Sequence, residues 1–212
     1  MKNFRKKLDR LEKIELLALL SAASVLRKQK YFSGILNYLV ENNPPFTKIY
    51  ETLLQTYLFA GFPSALISLK EFANLTGYKK DYAGYDLANY QRRGNINCKL
   101  IYGDKYEKLI SNVNSFSPEL SNWLIIEGYG KVLGRNPLTL KERELCIVSM
   151  LASLKYKDQL YSHINGTFKL KVPIKKIEAV IKNLEIIDFN PGSKFGQKVI
   201  HAFKLHKGIL AL

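Results

Sequence analysis

The sequence contains little cysteine, little tryptophan and few acidic residues. Its 212 residues include two Cys and one Trp, and 33 basic against 18 acidic side chains give a net charge of 33 − 18 = +15. Cys98 and Cys146 are far apart and form no Cys-x-x-Cys pair, which excludes a disulfide framework and fits a reducing compartment. The apolar stretch IELLALLSAASVL (14–26) is too short to span a bilayer. We therefore expect a cytoplasmic protein without a membrane partner.

The positive charge is not concentrated in one segment. Outside residues 2–10, KNFRKKLDR, lysines are spread thinly over the predicted helices, and we find no zinc-ligand set and no aromatic–basic RNA motif. A net positive charge suggests a polyanion partner, but dispersed lysines are more typical of a solvated surface. We expect no nucleic-acid partner and no metal, and a polyanion binder that uses the lysine surface stays an alternative.

Hydrophobic periodicity predicts an all-α chain, because period-2 strand patterns are scarce. Thr139 and Glu142 have the spacing of a capping box, and Pro173 fits the first turn of a helix. Residues 76–100, rich in Gly, Tyr, Asn and Lys, favour a connecting segment. The predicted helices cover about 7–27, 30–41, 46–59, 63–75, 103–113, 118–132, 139–153, 157–170, 173–185 and 193–207.

Two stretches of the chain resemble each other. At an offset of 129, Glu15 aligns with Glu144 and Gly34 with His163, and a one-residue slip then aligns Lys48 with Lys176. Only the second stretch carries both Glu and His, so we expect any site to belong to it. We expect a single domain, 1–212, whose parts are a degenerate first repeat (about 12–70), a connecting segment (about 71–117), a second repeat (about 118–192) and a C-terminal helix (193–207).

Glu144 and His163 are the candidate catalytic pair. They lie on the two arms of a predicted helical hairpin, about 16 and 12 Å from its turn at 1.5 Å per residue, so their side chains can meet. A carboxylate beside an imidazole orients the ring and makes it a competent acid or base near neutrality. The alternative is a hydrogen-bonded core histidine, with Glu144 placed by the helix dipole.

Residues 125–181 resemble the carboxymuconolactone decarboxylase family. The positions in register are Arg135, Leu138, Arg143, Glu144, Leu145, Leu151, Ala152, Gln159, Leu160, His163 and Ile177. The resemblance implies an alkylhydroperoxidase D-like helical bundle with two pseudo-repeats, a homo-oligomer such as a trimer or hexamer, and chemistry without a cofactor. Redox members of the wider superfamily carry a Cys-x-x-Cys-x-x-x-His helix. Tyr156 and Gln159 stand at the two cysteine positions here, so we expect no thiol peroxidase activity.

The resemblance further implies a carboxy-lyase acting on a small anionic lactone or carboxylate. His163 would transfer the proton, Glu144 would orient it, and Arg135 would clamp the substrate anion, with Tyr156 and Gln159 completing the substrate site. This function requires His163 and Glu144 within hydrogen-bond distance at a cavity with Arg135 near its mouth. The alternatives are a non-catalytic ligand-binding or structural member of the family and a redox protein that uses Cys146. Arg143 is expected to act as a second clamp or as a surface residue, and we favour the surface.

Overall fold

A computed structural model describes residues 2–42, 45–188 and 191–209, and no strand occurs within these ranges. The predicted all-α class is confirmed. The helices are α1 (Lys2–Leu8), α2 (Lys13–Val25), α3 (Gln29–Glu41), α4 (Phe46–Leu54), α5 (Tyr57–Thr76), α6 (Leu87–Tyr102), a 3₁₀ turn (Gly103–Lys105), α7 (Tyr106–Asn114), α8 (Pro118–Trp123), a π-helix (Leu124–Val132), α9 (Leu140–Leu154), α10 (Lys157–Lys169), α11 (Ile174–Lys182), α12 (Glu185–Asp188) and α13 (Pro191–His206).

Two helices, α2 and α9, form the centre of the bundle and pack against each other. Residues 15–25 of α2 and 143–153 of α9 are buried without interruption. A helix buried on every side needs an apolar residue at most positions, which explains why these stretches show little amphipathic pattern. Helices α3, α4 and α5 cover α2, while α10, α11 and α13 cover α9.

From the end of the central helices onward, the backbone of the two halves repeats at an offset of 128 residues. The N-caps of α2 and α9, Glu12 and Thr139, lie 139 − 12 = 127 residues apart. Arg27 and Lys155 (155 − 27 = 128) both end a central helix in the left-handed region, with φ of 54° and 62°. The next helix but one begins after Pro45 in the first half and after Pro173 in the second (173 − 45 = 128). The offset of 129 predicted for the hairpin is therefore wrong by one residue.

Reciprocal ion pairs join the two halves. Lys48 on α4 contacts Glu142 at the start of α9, and Lys176 on α11 contacts Glu15 at the start of α2, 3.1 Å away. Both glutamates also accept the N–H of their own helix N-cap residue. Glu15 is thus the counterpart of Glu142, and the predicted pairing of Glu15 with Glu144 is wrong.

Helix α6 occupies most of the stretch predicted as a connecting segment, 76–100. It packs closely against the π-helix through two glycines. A Cβ on Gly94 would lie 2.2 Å from the Ile125 carbonyl oxygen, and one on Gly130 would lie 2.0 Å from the Tyr90 carbonyl oxygen. The glycines that made this stretch look like a linker therefore allow α6 and the π-helix to pack with their backbones in direct contact.

Other helix boundaries also differ from those predicted from hydrophobic periodicity. The predicted helix 118–132 is α8 followed by the π-helix, and the predicted helix 7–27 is interrupted between α1 and α2. Gly61, at φ 74°, bends α5 near its start. Among the described residues no single helix is long and apolar enough to cross a membrane; only α4 and α5, bent by 120°, reach that length and composition together.

Candidate functional site

A buried histidine–glutamate pair lies between α9 and α10. The Nδ1 atom of His163 is 2.8 Å from Oε2 of Glu144, so the expected contact between the two side chains is present. His163 is 7% exposed and Glu144 1% exposed. The capping box at Thr139 fixes the start of α9, and the left-handed Lys155 turns the chain into α10. The two helices therefore bring residues 19 positions apart into hydrogen-bond distance.

The opposite edge of the His163 ring is unpaired. Its Nε2 atom makes no hydrogen bond with any residue that the structure describes. The ring lies edge-on to Phe59, with 6.3 Å between the ring centroids, and it lines a cavity. A ring nitrogen that faces a cavity while the other is held by a carboxylate is the arrangement that acid–base catalysis uses.

Residues of α6 and the π-helix enclose the far side of Glu144. Burial, with the Glu144 charge as a smaller cause, raises the pKa of Cys98 to about 12. Burial also raises the pKa of Tyr102 and of Tyr129, whose hydroxyls lie 3.2 Å apart. Oε1 of Glu144 is buried and has no hydrogen-bond partner among the described residues. The carboxylate thus directs its one hydrogen bond to His163.

The cavity at His163 has a volume of about 390 Å³ and is mainly apolar. The π-helix and the start of α5 form much of its wall, and π-helical turns are frequent at functional sites. Its described lining contains Glu127 but no Lys or Arg. Apolar residues on its wall include Leu58, Phe59, Leu120, Trp123, Leu124 and Leu133.

The mouth of this cavity carries exposed apolar side chains. Phe116 is 71% exposed, Trp123 55% and Leu120 50%. Trp123 is the only tryptophan of the chain, so fluorescence excited selectively at tryptophan reports on the mouth of this cavity.

Arg135 does not line the cavity of His163. Its guanidinium donates hydrogen bonds from Nε and Nη2 to the carboxylate of Glu51, with N···O distances of 3.0–3.1 Å. The expectation that Arg135 lies at the mouth of the His163 cavity is therefore wrong, because the buried Glu51 holds it elsewhere.

Arg143 is not a surface residue, so the surface role that we favoured is wrong. It is 0% exposed and donates to Glu51 at 3.0 Å and to the Arg135 carbonyl at 2.7 Å. Lys80 also contacts Glu51, at 2.8 Å. Burial opposes ionisation of Glu51, but the hydrogen bonds from the three cations outweigh it and lower its pKa.

Glu51 was missed by the sequence reasoning. Aligning Lys48 with Lys176 places Ala179 opposite Glu51. The available signal for a buried charge was that Glu51 lies on the inner face of an amphipathic helix, where the other half of the chain has an alanine.

Tyr156 and Gln159 are both exposed at the start of α10, and neither lines the cavity. A ligand in the His163 cavity therefore does not touch them within one chain.

Cys146 is buried on α9, and burial raises the pKa of its thiol to about 12. Within the described ranges no group of three or more His, Cys, Asp or Glu side chains is arranged to hold a metal ion.

The fold and the site together define an all-α protein with a His–Glu pair at an apolar cavity. No family model matches the sequence. The chain is 28% identical over 152 residues to Peroxisomal protein 2 of Schizosaccharomyces pombe, a match that covers 68% of this chain and 71% of that protein.

Proposed function

We propose that the chain is a cofactor-independent, carboxymuconolactone decarboxylase-like enzyme that moves a proton to or from a carbon atom of a small substrate. The carrying observation is the pair itself: Nδ1 of His163 lies 2.8 Å from Glu144, Nε2 has no partner among the described residues, and the ring lines the cavity. His163 acts as the acid–base group and Glu144 orients it. In a decarboxylation, the C–C bond to CO₂ breaks and the protonated Nε2 delivers its proton to the resulting carbanion.

The residues that line the cavity narrow the range of possible substrates. A fully enclosed carboxylate would lack a cationic partner there, and an unpaired buried charge is costly. We infer that only the carboxylate that leaves as CO₂ approaches His163 and that any other carboxylate stays at the open mouth, near solvent. A lactone or a monocarboxylate fits this description better than a substrate with several charges.

The buried thiols support the expectation that the chain is not a thiol peroxidase. Peroxide reduction needs a thiolate, and burial raises the pKa of both Cys98 and Cys146 to about 12. Redox chemistry through Cys146 is therefore the weakest of the alternatives.

A non-catalytic ligand-binding protein is the second candidate. The apolar lining and the exposed aromatic mouth favour it, because these features bind an apolar ligand whether or not turnover follows. The two candidates differ in what His163 does after the ligand has bound.

The distinguishing experiment follows binding and proton exchange together. Lactones and carboxylic acids are titrated while the fluorescence of Trp123 is measured, and each binder is then incubated in D₂O and analysed for deuterium at carbon or for release of CO₂. We expect His163→Gln to bind but to lose exchange by about 100-fold or more. His201→Gln, on the exposed side of α13, is the matched control.

Two results would decide against acid–base catalysis by His163. Exchange at the wild-type rate in His163→Gln would refute the role of the histidine. Binding without exchange or turnover in the wild-type protein would favour the ligand-binding candidate.

We propose the alkylhydroperoxidase D-like type for the bundle. The 128-residue repeat of backbone signals and the reciprocal Lys48 and Lys176 ion pairs support a two-repeat chain. The predicted homo-oligomer is tested by light scattering during size-exclusion chromatography. The name of the S. pombe protein makes the peroxisome an alternative to the predicted cytoplasm, and microscopy of a tagged chain beside a peroxisomal marker distinguishes the two.

A further inference from the structure

A second concavity lies at the C-terminal end of the π-helix. It has a volume of about 250 Å³, between α4, the irregular residues 80–85 and the end of the π-helix. We call it the tyrosine cleft, because five tyrosines line it: Tyr50, Tyr57, Tyr82, Tyr85 and Tyr90. Its lining also includes Lys80, Lys131 and Arg135. It shares no lining residue with the His163 cavity.

Positive charge is in excess beside this cleft. Lys80, Arg135 and Arg143 all donate to the single carboxylate of Glu51, so three cations face one anion. Lys131 is balanced by Glu127, 2.6 Å away. Arg93, held on the Gly130 and Lys131 carbonyls, lies near Asp86, and Asp81 also lines the cleft. Five cations against four carboxylates leave an excess of one positive charge in a partly buried setting, where it attracts an anion more strongly than in water.

Unused hydrogen-bond donors point to the same conclusion. Arg135 uses Nε and Nη2 for Glu51, which leaves the two N–H groups of Nη1 without a partner among the described residues. The Tyr57 hydroxyl also makes no hydrogen bond with the described residues, but it is buried and therefore out of reach of a ligand in the cleft.

We propose that the tyrosine cleft binds a small aromatic carboxylate, with its carboxylate on Arg135 and Lys80 and its ring among the tyrosines. The volume suits one ring, since a cavity of about 150 Å³ suffices for benzene. Tyrosine rings offer edge-to-face contacts to such a ring. This site is separate from the His163 cavity and does not depend on the function proposed for it.

The test uses benzoate as the probe and benzamide as its uncharged counterpart of the same shape, each titrated by calorimetry. We expect saturable binding of one benzoate per chain, weakened by added salt, and at least tenfold weaker binding of benzamide. Lys80→Gln removes one of the two cations proposed to hold the carboxylate, and we expect it to weaken benzoate binding about tenfold. Lys204→Gln, which removes a cation paired with Glu178 away from the cleft, should bind as the wild type does.

A parallel titration separates the two cavities. Benzoate in the tyrosine cleft should leave Trp123 fluorescence unchanged, and His163→Gln should bind it as the wild type does. The proposal is overturned if benzoate does not bind, if benzamide binds equally well, or if Lys80→Gln has no effect. It is also overturned if binding quenches Trp123 and depends on His163, because the ligand then occupies the other cavity.

Discussion

Replacing Glu51 by Gln tests how much of the stability depends on one buried carboxylate. The side chain is 0% exposed and accepts from Lys80 at 2.8 Å and from Arg135 and Arg143 at 3.0 Å. The amide keeps the shape of the side chain but removes its charge. Arg143, itself 0% exposed, then keeps only neutral acceptors, the Gln55 amide oxygen and the Arg135 carbonyl.

The expected loss follows from this geometry. Removing one partner of a buried ion pair costs about 3–5 kcal/mol, because the other charge stays buried without compensation. At about 2–4 °C per kcal/mol for a chain of this size, the melting temperature of Glu51→Gln should fall by roughly 6–20 °C.

Urea unfolding followed by circular dichroism measures the difference in free energy of unfolding. The matched control is Glu178→Gln, whose carboxylate is 37% exposed and pairs with Lys204; such surface pairs contribute at most about 1 kcal/mol. A loss in Glu51→Gln no larger than in Glu178→Gln would refute the reasoning that the Glu51 cluster anchors α4 to α9.

Three further outcomes are expected. Gly130→Ala should destabilise the protein by about 1–3 kcal/mol or more, because the added Cβ would lie 2.0 Å from a carbonyl oxygen. In the same urea experiment, Gly128→Ala should be neutral or slightly stabilising, because there is open space around the added Cβ. Cys98 and Cys146, buried with pKa values of about 12, should react with a thiol reagent at neutral pH only after unfolding, and fast labelling of the native protein would contradict this. The pKa of Glu51 is lowered from 4.5, so the stabilisation that its ionised carboxylate provides is complete above pH 4.5 and is lost as the pH falls through the pKa of Glu51 in the folded protein. The difference in free energy of unfolding between wild type and Glu51→Gln should therefore shrink over this pH range. A difference that stays constant with pH would count against an ionised carboxylate at Glu51.

The sequence predicted the local structure around the site. Thr139 with Glu142 marks the start of α9, Pro173 precedes α11, and apolar periodicity predicts the helices between them. These signals act within one or two helical turns, so they can be read without knowing the rest of the fold. The contact between Glu144 and His163 could be anticipated for the same reason, because a short hairpin fixes the level of both residues.

The sequence alone also determined that the chain is all-α, while only the tertiary structure decided what surrounds the pair. Glu51 lies 84 residues from Arg135 and 92 from Arg143, and no local pattern joins residues so far apart. The sequence did not predict helix α6, because Gly94 lowers helix propensity locally. The tertiary structure requires this glycine, since α6 and the π-helix pack closely there. The cavity of His163 gathers side chains from α5, α7, α8 and the π-helix. Which side chains line a cavity depends on how whole helices pack, and that packing decided both the apolar surroundings of His163 and the distant place of Arg135.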